Sequence, residues 1–384
     1  MAYTTPTVNY CATVNGTYTS ITGVQSVSIN RGRQRFQDNF PQSSCVIELI
    51  PAASYALPFA IGQFIDVRDA NTAFSPAYFV GVITDVERKY AIPYNSSTGL
   101  APADRIIITA TGATGALGAA SLSGYALPAG LTVDTLYNAA YSNNVYAATD
   151  RTTTVLNSAQ TFTGGAFDLI NGLLKTLQWF IDDWDNNRMA TSGALSIGRS
   201  VTYFPQGRNG FYSFSDNGTI GSFKYSDLQY LNSVQNSFTE VQVVAPGLAT
   251  QTESSGTAPF NTLVYNTYNA STSDANSLAG YVLQTQSSSA ITPYTISTNT
   301  NIAPTCISLS VLAAVLTYYE LHLGEVIKIT FRGTTVDAVI QGINTTFYPD
   351  YATVQMFLAP SLGIAFILNS STFGVLDTNR LGYP

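Results

Sequence analysis

The sequence predicts a mainly β chain with minor α. Two antiparallel β domains are expected, with a middle α+β domain and an inserted lobe. Three observations carry this expectation. Period-two apolar runs, separated by Gly, Pro, Asn and Ser clusters, fill residues 7–110 and return from residue 324. One amphipathic stripe over residues 166–181 marks the best helix. At 384 residues the chain exceeds what a single core normally encloses, so more than one domain is expected.

The first domain, residues 1–111, reads as strands throughout. Val27 and Ile29 alternate with polar neighbours, as do Cys45, Ile47 and Leu49. Val80, Val82, Thr84, Val86 and Arg88 hold one face of a long strand, with Gly81, Ile83, Asp85 and Glu87 on the other. Ile106–Thr109 adds a β-branched run. Such a segment closes into a compact antiparallel barrel or sandwich.

The middle domain, residues 112–236, changes character. Gly112–Gly130 is small and flexible, and Leu131–Ala140 can form a short helix. Phe167, Ile170, Leu173, Leu174, Leu177 and Ile181 recur at helical spacing, with Thr163 upstream as a cap. A polar turn, Asp182–Asn187, precedes strand-like runs at Ala194–Ile197 and Phe211–Phe214, and Asn217-Gly218 signals a hairpin turn. Residues 237–249 and 320–375 are expected to form the second β domain, with strands at Glu240–Val244, Val326–Phe331, Val336–Thr346 and Thr353–Leu358. Residues 250–319 read as an inserted Ser/Thr/Asn-rich lobe with a helix at Asp274–Leu283 capped by Ser273. Residues 376–384 are a polar tail.

A pattern recurs between the two ends. Gly62-Gln63-Phe64-Ile65 leads to Phe79-Val80-Gly81-Val82-Ile83 and then Ile106-Ile107-Ile108. Gly324-Glu325-Val326-Ile327 leads to Ala338-Val339-Ile340-Gln341-Gly342 and then Thr353-Val354-Gln355-Met356. A repeat of this kind gives one chain two similar barrels, and three such chains would present six around a ring.

Composition narrows the function classes. Only 10% of residues are charged, against about a quarter in ordinary soluble proteins. Tyr (24) and Phe (20) are abundant. A surface poor in charge and rich in aromatics suits extensive protein contact, although a secreted or viral β protein shares this composition. The net charge of −7 argues against a nucleic-acid binder, but not against a passage through which DNA slides. Cys11, Cys45 and Cys306 lack metal or disulfide spacing and read as small buried residues. Met1–Thr5 carries no leader pattern, and no apolar run reaches about 18 residues, so no membrane insertion is expected.

The residues that invite a chemical role are few. His322 is the lone histidine, so no acid–base triad can be assembled, and neither catalytic nor cofactor residues are expected. Asp182, Asp183 and Asp185 with Asn186 and Asn187 cluster oxygens but lack the Gly and distal Glu of a calcium loop. Gly112–Gly118 has no Lys and no following apolar helix, unlike a phosphate loop. Arg31, Arg33 and Arg35 form the one basic cluster, either a contact for a neighbouring acidic subunit or a solvated loop.

Four stretches, taken together in their order, resemble a known family. They are Ser28–Arg33 with Ser44–Leu49; Gly62–Arg68 with Phe79–Ile83 and Thr109–Gly112; Leu173–Asp182 with Phe211–Phe214, Tyr225–Leu228 and Asn236–Val241; and Leu323–Ile329 with Ile340–Ile343. Over most of its length the chain resembles the tail hub (minor tail or baseplate hub) proteins of long-tailed bacteriophages. It departs at Pro51-Ala52-Ala53-Ser54, where the family often has a charged stretch, and at Glu325, where Asp is usual. The resemblance implies a homotrimeric ring of two tube-like barrels per subunit at the distal end of the tail in the virion. Such a ring adapts a six-fold tube to a three-fold spike or fibre and lets DNA pass without specific binding. Its implied partners are the tail tube or distal tail protein ring, the tape measure protein and the central spike or fibre. In a ring of this kind Asp66, Asp85, Glu87 and Asp337 are candidates for the lumen, with the outer surface as the alternative. The rival reading is a receptor-binding or carbohydrate-binding adhesin at the tail tip, its exposed Tyr stacking on sugars.

Overall fold

The computed structural model describes residues 3–11, 17–50, 59–69, 77–91, 104–112, 121–132, 154–183, 201–205, 208–218, 222–231, 237–256, 258–286, 292–310 and 323–361, with a few isolated positions between them. The chain begins with β1 (Thr7–Cys11), β2 (Thr19–Ser20), β3 (Val24–Gly32), β4 (Ser44–Leu49), β5 (Phe64–Arg68), β6 (Ala77–Lys89) and β7 (Arg105–Thr111). A short pair follows, β8 (Tyr125–Leu127) with β9 (Gln160–Phe162), and then helix α1 (Ala166–Leu177). Next come β10 (Trp179–Asp183), β11 (Val201–Pro205), β12 (Arg208–Ser215), β13 (Phe223–Lys224) and β14 (Asp227–Leu231). The lobe holds β15 (Glu240–Val244), β16 (Gln251–Ser254), β17 (Thr262–Asn266) and helix α2 (Thr272–Gln286). The chain then runs through β18 (Thr292–Asn299), a 3-10 turn (Cys306–Ser310), β19 (Glu325–Phe331), β20 (Thr334–Phe347) and β21 (Ala352–Pro360).

One 14-stranded sheet dominates, and it is built from two related halves. In the first, the strand order is β2-β1-β5-β6-β7-β4-β3; in the second it is β13-β12-β19-β20-β21-β18-β14. The central three strands of each half agree residue by residue. Gly62 (φ +87°) and Gly324 (φ +85°) open the first strand of each trio. Their N–H groups donate to Ile83 and Ile340 carbonyls, both at 2.8 Å. Phe64 faces Val82 as Val326 faces Val339. Ile83 faces Ala110 as Ile340 faces Leu358, and in both trios the register then shifts by a bulge, to Asp85 opposite Thr109 and to Gly342 opposite Phe357. The second and third strands of the recurring sequence pattern are thus the same supersecondary unit in both halves. The halves differ at one flank, where β1 runs antiparallel to β5 but β12 runs parallel to β19. They join where the last part of β20 pairs antiparallel with β3, from Gly342 opposite Gly32 to Phe347 opposite Val27. Among the described residues the sheet remains an open path rather than a closed barrel.

Each half buries its own core. Ile29, Cys45, Ile47, Ile65, Val67, Ile83 and Ile108 fill the first, and Phe347 and Ala352 from the second half complete it. Ile296, Ile327, Ile329, Ile340, Ile343 and Met356 fill the second, capped by the apolar stripe of α1. The three cysteines are buried and in no disulfide. In α1 the expected stripe is present, but the helix ends at Leu177. Gln178 turns left-handed (φ 56°) and Trp179–Asp183 continues as strand, so Ile181 belongs to β10. The capping residue is Gly165, whose N–H donates to Asp168 Oδ2 at 3.0 Å, rather than Thr163. In α2 the cap is likewise Ser271, not Ser273: its Oγ accepts the Asp274 N–H at 3.1 Å.

The lobe differs from the sequence-based grouping. Glu240–Val244, expected with the second β domain, pairs instead with β16 and β17 and packs against α2 through Val241, Val243, Tyr265, Leu278 and Val282. β18, expected in the lobe, and β12–β14, expected in the middle domain, lie in the main sheet. The internal repeat supplies the reason. β14 and β18 correspond to β3 and β4, so the lobe is an enlarged connection between two adjacent strands. The chain bends at Asp216-Asn217 and Gly218 is left-handed (φ +67°), yet β13 runs parallel to β12, so no hairpin results. The expected strand Ala194–Ile197, most of the expected helix Leu131–Ala140 and the tail 376–384 lie outside the described residues.

The two opening glycines offer a comparison. A Cβ at Gly62 meets nothing within 4 Å, whereas one at Gly324 sits 2.5 Å from Phe180 Cδ2. Both alanine variants incur the left-handed penalty of about 1 kcal/mol. Gly324→Ala adds displacement of a packed ring and is expected to cost about 2 kcal/mol more. Urea denaturation of the two variants checks this, and equal losses would mean that the Phe180 ring moves freely.

Candidate functional site

The region where the two halves, α1 and the lobe meet is organised around Arg33. Arg33 follows β3 and is only 6% exposed. Its backbone N–H donates to the Gln341 carbonyl at 2.9 Å, which continues the β3–β20 joint past the strand end. Its Nε donates to Gln341 Oε1 at 2.9 Å and Nη1 to the Asp38 carbonyl at 3.3 Å. The guanidinium lies 4.5 Å from the Phe40 ring centre, 5.2 Å from Phe36 and 5.4 Å from Phe180. Burial lowers its pKa from the usual value, and Tyr265 and then Asp38 oppose that shift. Tyr265 in turn stacks on Phe36 at 6.4 Å and accepts Gln178 Nε2 at 3.4 Å. Asn171 of α1 clasps the same loop: its Oδ1 accepts the Phe40 N–H at 2.8 Å, and its Nδ2 donates to the Phe40 carbonyl at 3.3 Å. The arrangement is a desolvated cation inside an aromatic cage, an anchor for four elements rather than a reactive centre.

The structure disperses the other sequence-predicted residues. Arg31 lies inside the chain at 4% exposure, and Arg35 is half-buried with its N–H donating to Asp38 Oδ2 at 3.1 Å. Arg31 and Arg33 therefore differ from the expected surface cluster, because the chain itself covers them. Asp66 is fully buried; its Oδ2 meets Arg68 Nε at 2.6 Å and its Oδ1 accepts Asn9 Nδ2 at 2.9 Å. It lies on the face of β5 opposite Ile65 and Val67, the face of Phe64 and Arg68, and is closed off from solvent within the chain, which corrects the expectation of an exposed carboxylate. Asp85 and Glu87 are exposed on β6, and Asp337 is exposed on β20 opposite Lys328. His322 and most of the Asp182–Asn187 turn lie outside the described residues. Among the described residues no three His, Cys, Asp or Glu side chains gather to hold a metal, and no helix is long and apolar enough to cross a membrane.

Two open strand edges complete the geometry. On the side where β5 pairs with its first part, the later part of β6, Thr84–Lys89, faces no strand among the described residues. The Val86 N–H points to that side and donates to Asp85 Oδ1 at 2.8 Å. β14 pairs only with β18, leaving its other edge open among the described residues. The sequence signal for these edges was the charge on Asp85, Glu87, Arg88 and Lys89, a common way of guarding an edge.

By sequence, the chain matches no protein-family model and no curated protein. Its structure is similar to the tail protein from Neisseria meningitidis MC58, with a TM-score of 0.57 and 11% identity over 94% of this chain and 97% of that one. It is similar to the 43 kDa tail protein of prophage MuSo2 from Shewanella oneidensis, with a TM-score of 0.55 and 12% identity over 92% of this chain and 97% of that one. The c3393 protein of E. coli, a type VI secretion component with structural similarity to the T4 bacteriophage tail proteins gp27 and gp5, matches at a TM-score of 0.50 and 10% identity, over 94% of this chain and 77% of that one. With two related halves, a lobe set into the second and a likeness that spans almost the whole chain, this protein has the fold of these phage tail proteins.

Proposed function

We propose that the chain is a structural tail hub of a bacteriophage virion. Three copies form a ring that closes the distal tail tube, adapts the six-fold tube to a three-fold spike or fibre, and lets DNA pass at ejection. The observation that carries the reading is the matched register of the two halves. One chain with two equivalent sheet units lets three chains offer six equivalent surfaces to a tube. The fold likeness supports a tail role, and the partners proposed for it are the tube or distal tail ring, the tape measure protein and the spike or fibre. The chain acts by contact and carries out no turnover. The subunit contact is assigned to Arg35, and the channel wall to Asp85, Glu87 and Asp337, which are exposed in the single chain.

Two measurements test this. Quantifying the labelled protein in purified tails is expected to give three copies; six or twelve would sink the ring. The purified chain is also expected to bind duplex DNA weakly and without the steep salt dependence of phosphate neutralisation, in keeping with its net charge of −7. Tight, salt-sensitive binding would refute an acidic channel.

A further inference from the structure

We propose that the open edge of β6, Thr84–Lys89, pairs antiparallel with the open edge of β14 in a second copy of this chain, in the register that β20 and β3 use within one chain. The two halves share one architecture, so the joint between them has a counterpart. Within the chain, β20 leaves β19 at its bulge and the rest of the strand pairs with β3. In the first half, β6 leaves β5 at the matching bulge, and the rest of the strand faces no strand among the described residues. β14 holds the place of β3, next to β18 as β3 is next to β4, and its outer edge is the surface that β3 gives to β20. Within the single chain β6 and β14 do not pair, so the matching joint leads onward to the next copy.

The register follows. Ile83 corresponds to Ile340, so Lys89 corresponds to Thr346 and Tyr90 to Phe347. Pairing through β4 and β18 makes Ser28 correspond to Gln229 and Val27 to Leu228. Thr346 faces Ser28, with hydroxyls 3.3 Å apart, and Phe347 faces Val27. Lys89 is therefore placed opposite Gln229 of the second copy, and Tyr90 opposite Leu228. Phe347 is 1% exposed, whereas Tyr90 is 62% exposed, so the joint covers an aromatic ring that the single chain leaves in solvent. Asp85 holds the Val86 N–H in the single chain and yields it to the incoming strand. The contact is heterologous, since β6 meets β14 and not β6, so it repeats from copy to copy, and it closes into a ring at the three copies of the proposed hub.

The pairing rests on the hub reading only for the number of copies. The test uses the full chain carrying Lys89→Cys and Gln229→Cys. These sites fall in a close pair, and the three native cysteines are buried. Mild oxidation at high protein concentration is expected to give reductant-reversible multimers on a denaturing gel. Asp85→Cys with Gln229→Cys, offset by about 13 Å along the strand, is expected to give none. Arg88→Pro removes an outward N–H by alternation from Val86 and leaves the β7 ladder intact; it is expected to abolish the multimers while far-ultraviolet circular dichroism is unchanged. A doubly substituted chain that stays single, an offset pair that cross-links equally, or Arg88→Pro multimers at wild-type yield would each overturn the pairing. Cross-linking by a protein absent from tails would leave the pairing standing and remove the hub reading; a tail-located protein that fails to cross-link does the reverse.

Discussion

Arg33→Ala is expected to destabilise the chain by about 3–5 kcal/mol, measured by urea denaturation. Three effects add. The truncation opens a cavity among Phe36, Phe40 and Phe180. It removes cation–π contacts worth about 2 kcal/mol when desolvated. It also leaves buried Gln341 Oε1 without its 2.9 Å donor, at about 1–3 kcal/mol. These overlap, so their sum is an upper limit. Arg33→Met keeps much of the volume and is expected to lose about half as much. Arg33→Lys is expected to resemble Met more than wild type, because an ammonium cannot lie flat against three rings while reaching Gln341 and Asp38. A loss below about 1 kcal/mol for alanine would show that the cage does not anchor the joint.

Asp66→Ala is expected to cost about 3–5 kcal/mol, because it takes the carboxylate from Arg68 in a site where both side chains are buried. The Asn9 side chain also loses its acceptor. Replacing Asp66 and Arg68 together by leucine is expected to recover most of that loss, since it removes both charges rather than stranding one. A double-mutant cycle by urea denaturation reads the difference. If the double variant were as unstable as the two single variants combined, the pair would contribute by its shape and hydrogen bonds alone. Asp66 was a channel candidate by strand alternation, and the size of this effect separates an interior carboxylate from one that water can reach.

The sequence by itself determined the strands and the repeat. Val27, Ile29, Cys45, Ile47, Ile106 and Ile108 alternate with polar residues because the two faces of a strand have different surroundings, and that difference is written locally. The Gly62 and Gly324 motifs are legible for the same reason: a left-handed turn before a strand demands glycine wherever it occurs. The amphipathic stripe of α1 was plain too, although its end was not, because Trp179–Asp183 satisfies helical spacing and becomes strand only by pairing with β11. Tertiary structure decided everything that depends on a partner distant in sequence. Alternation puts Asp66 on the face opposite Ile65 and Val67, but its burial there, and its bond from Asn9, 57 residues away, come only from the fold. Arg33 looks like a surface charge until Gln341, 308 residues on, and rings from α1's neighbour β10 and the lobe close over it. The lobe's place between β14 and β18 was hidden because β15 has the same strand pattern as the main sheet. Periodicity reports that a residue is buried, and only the fold says against what.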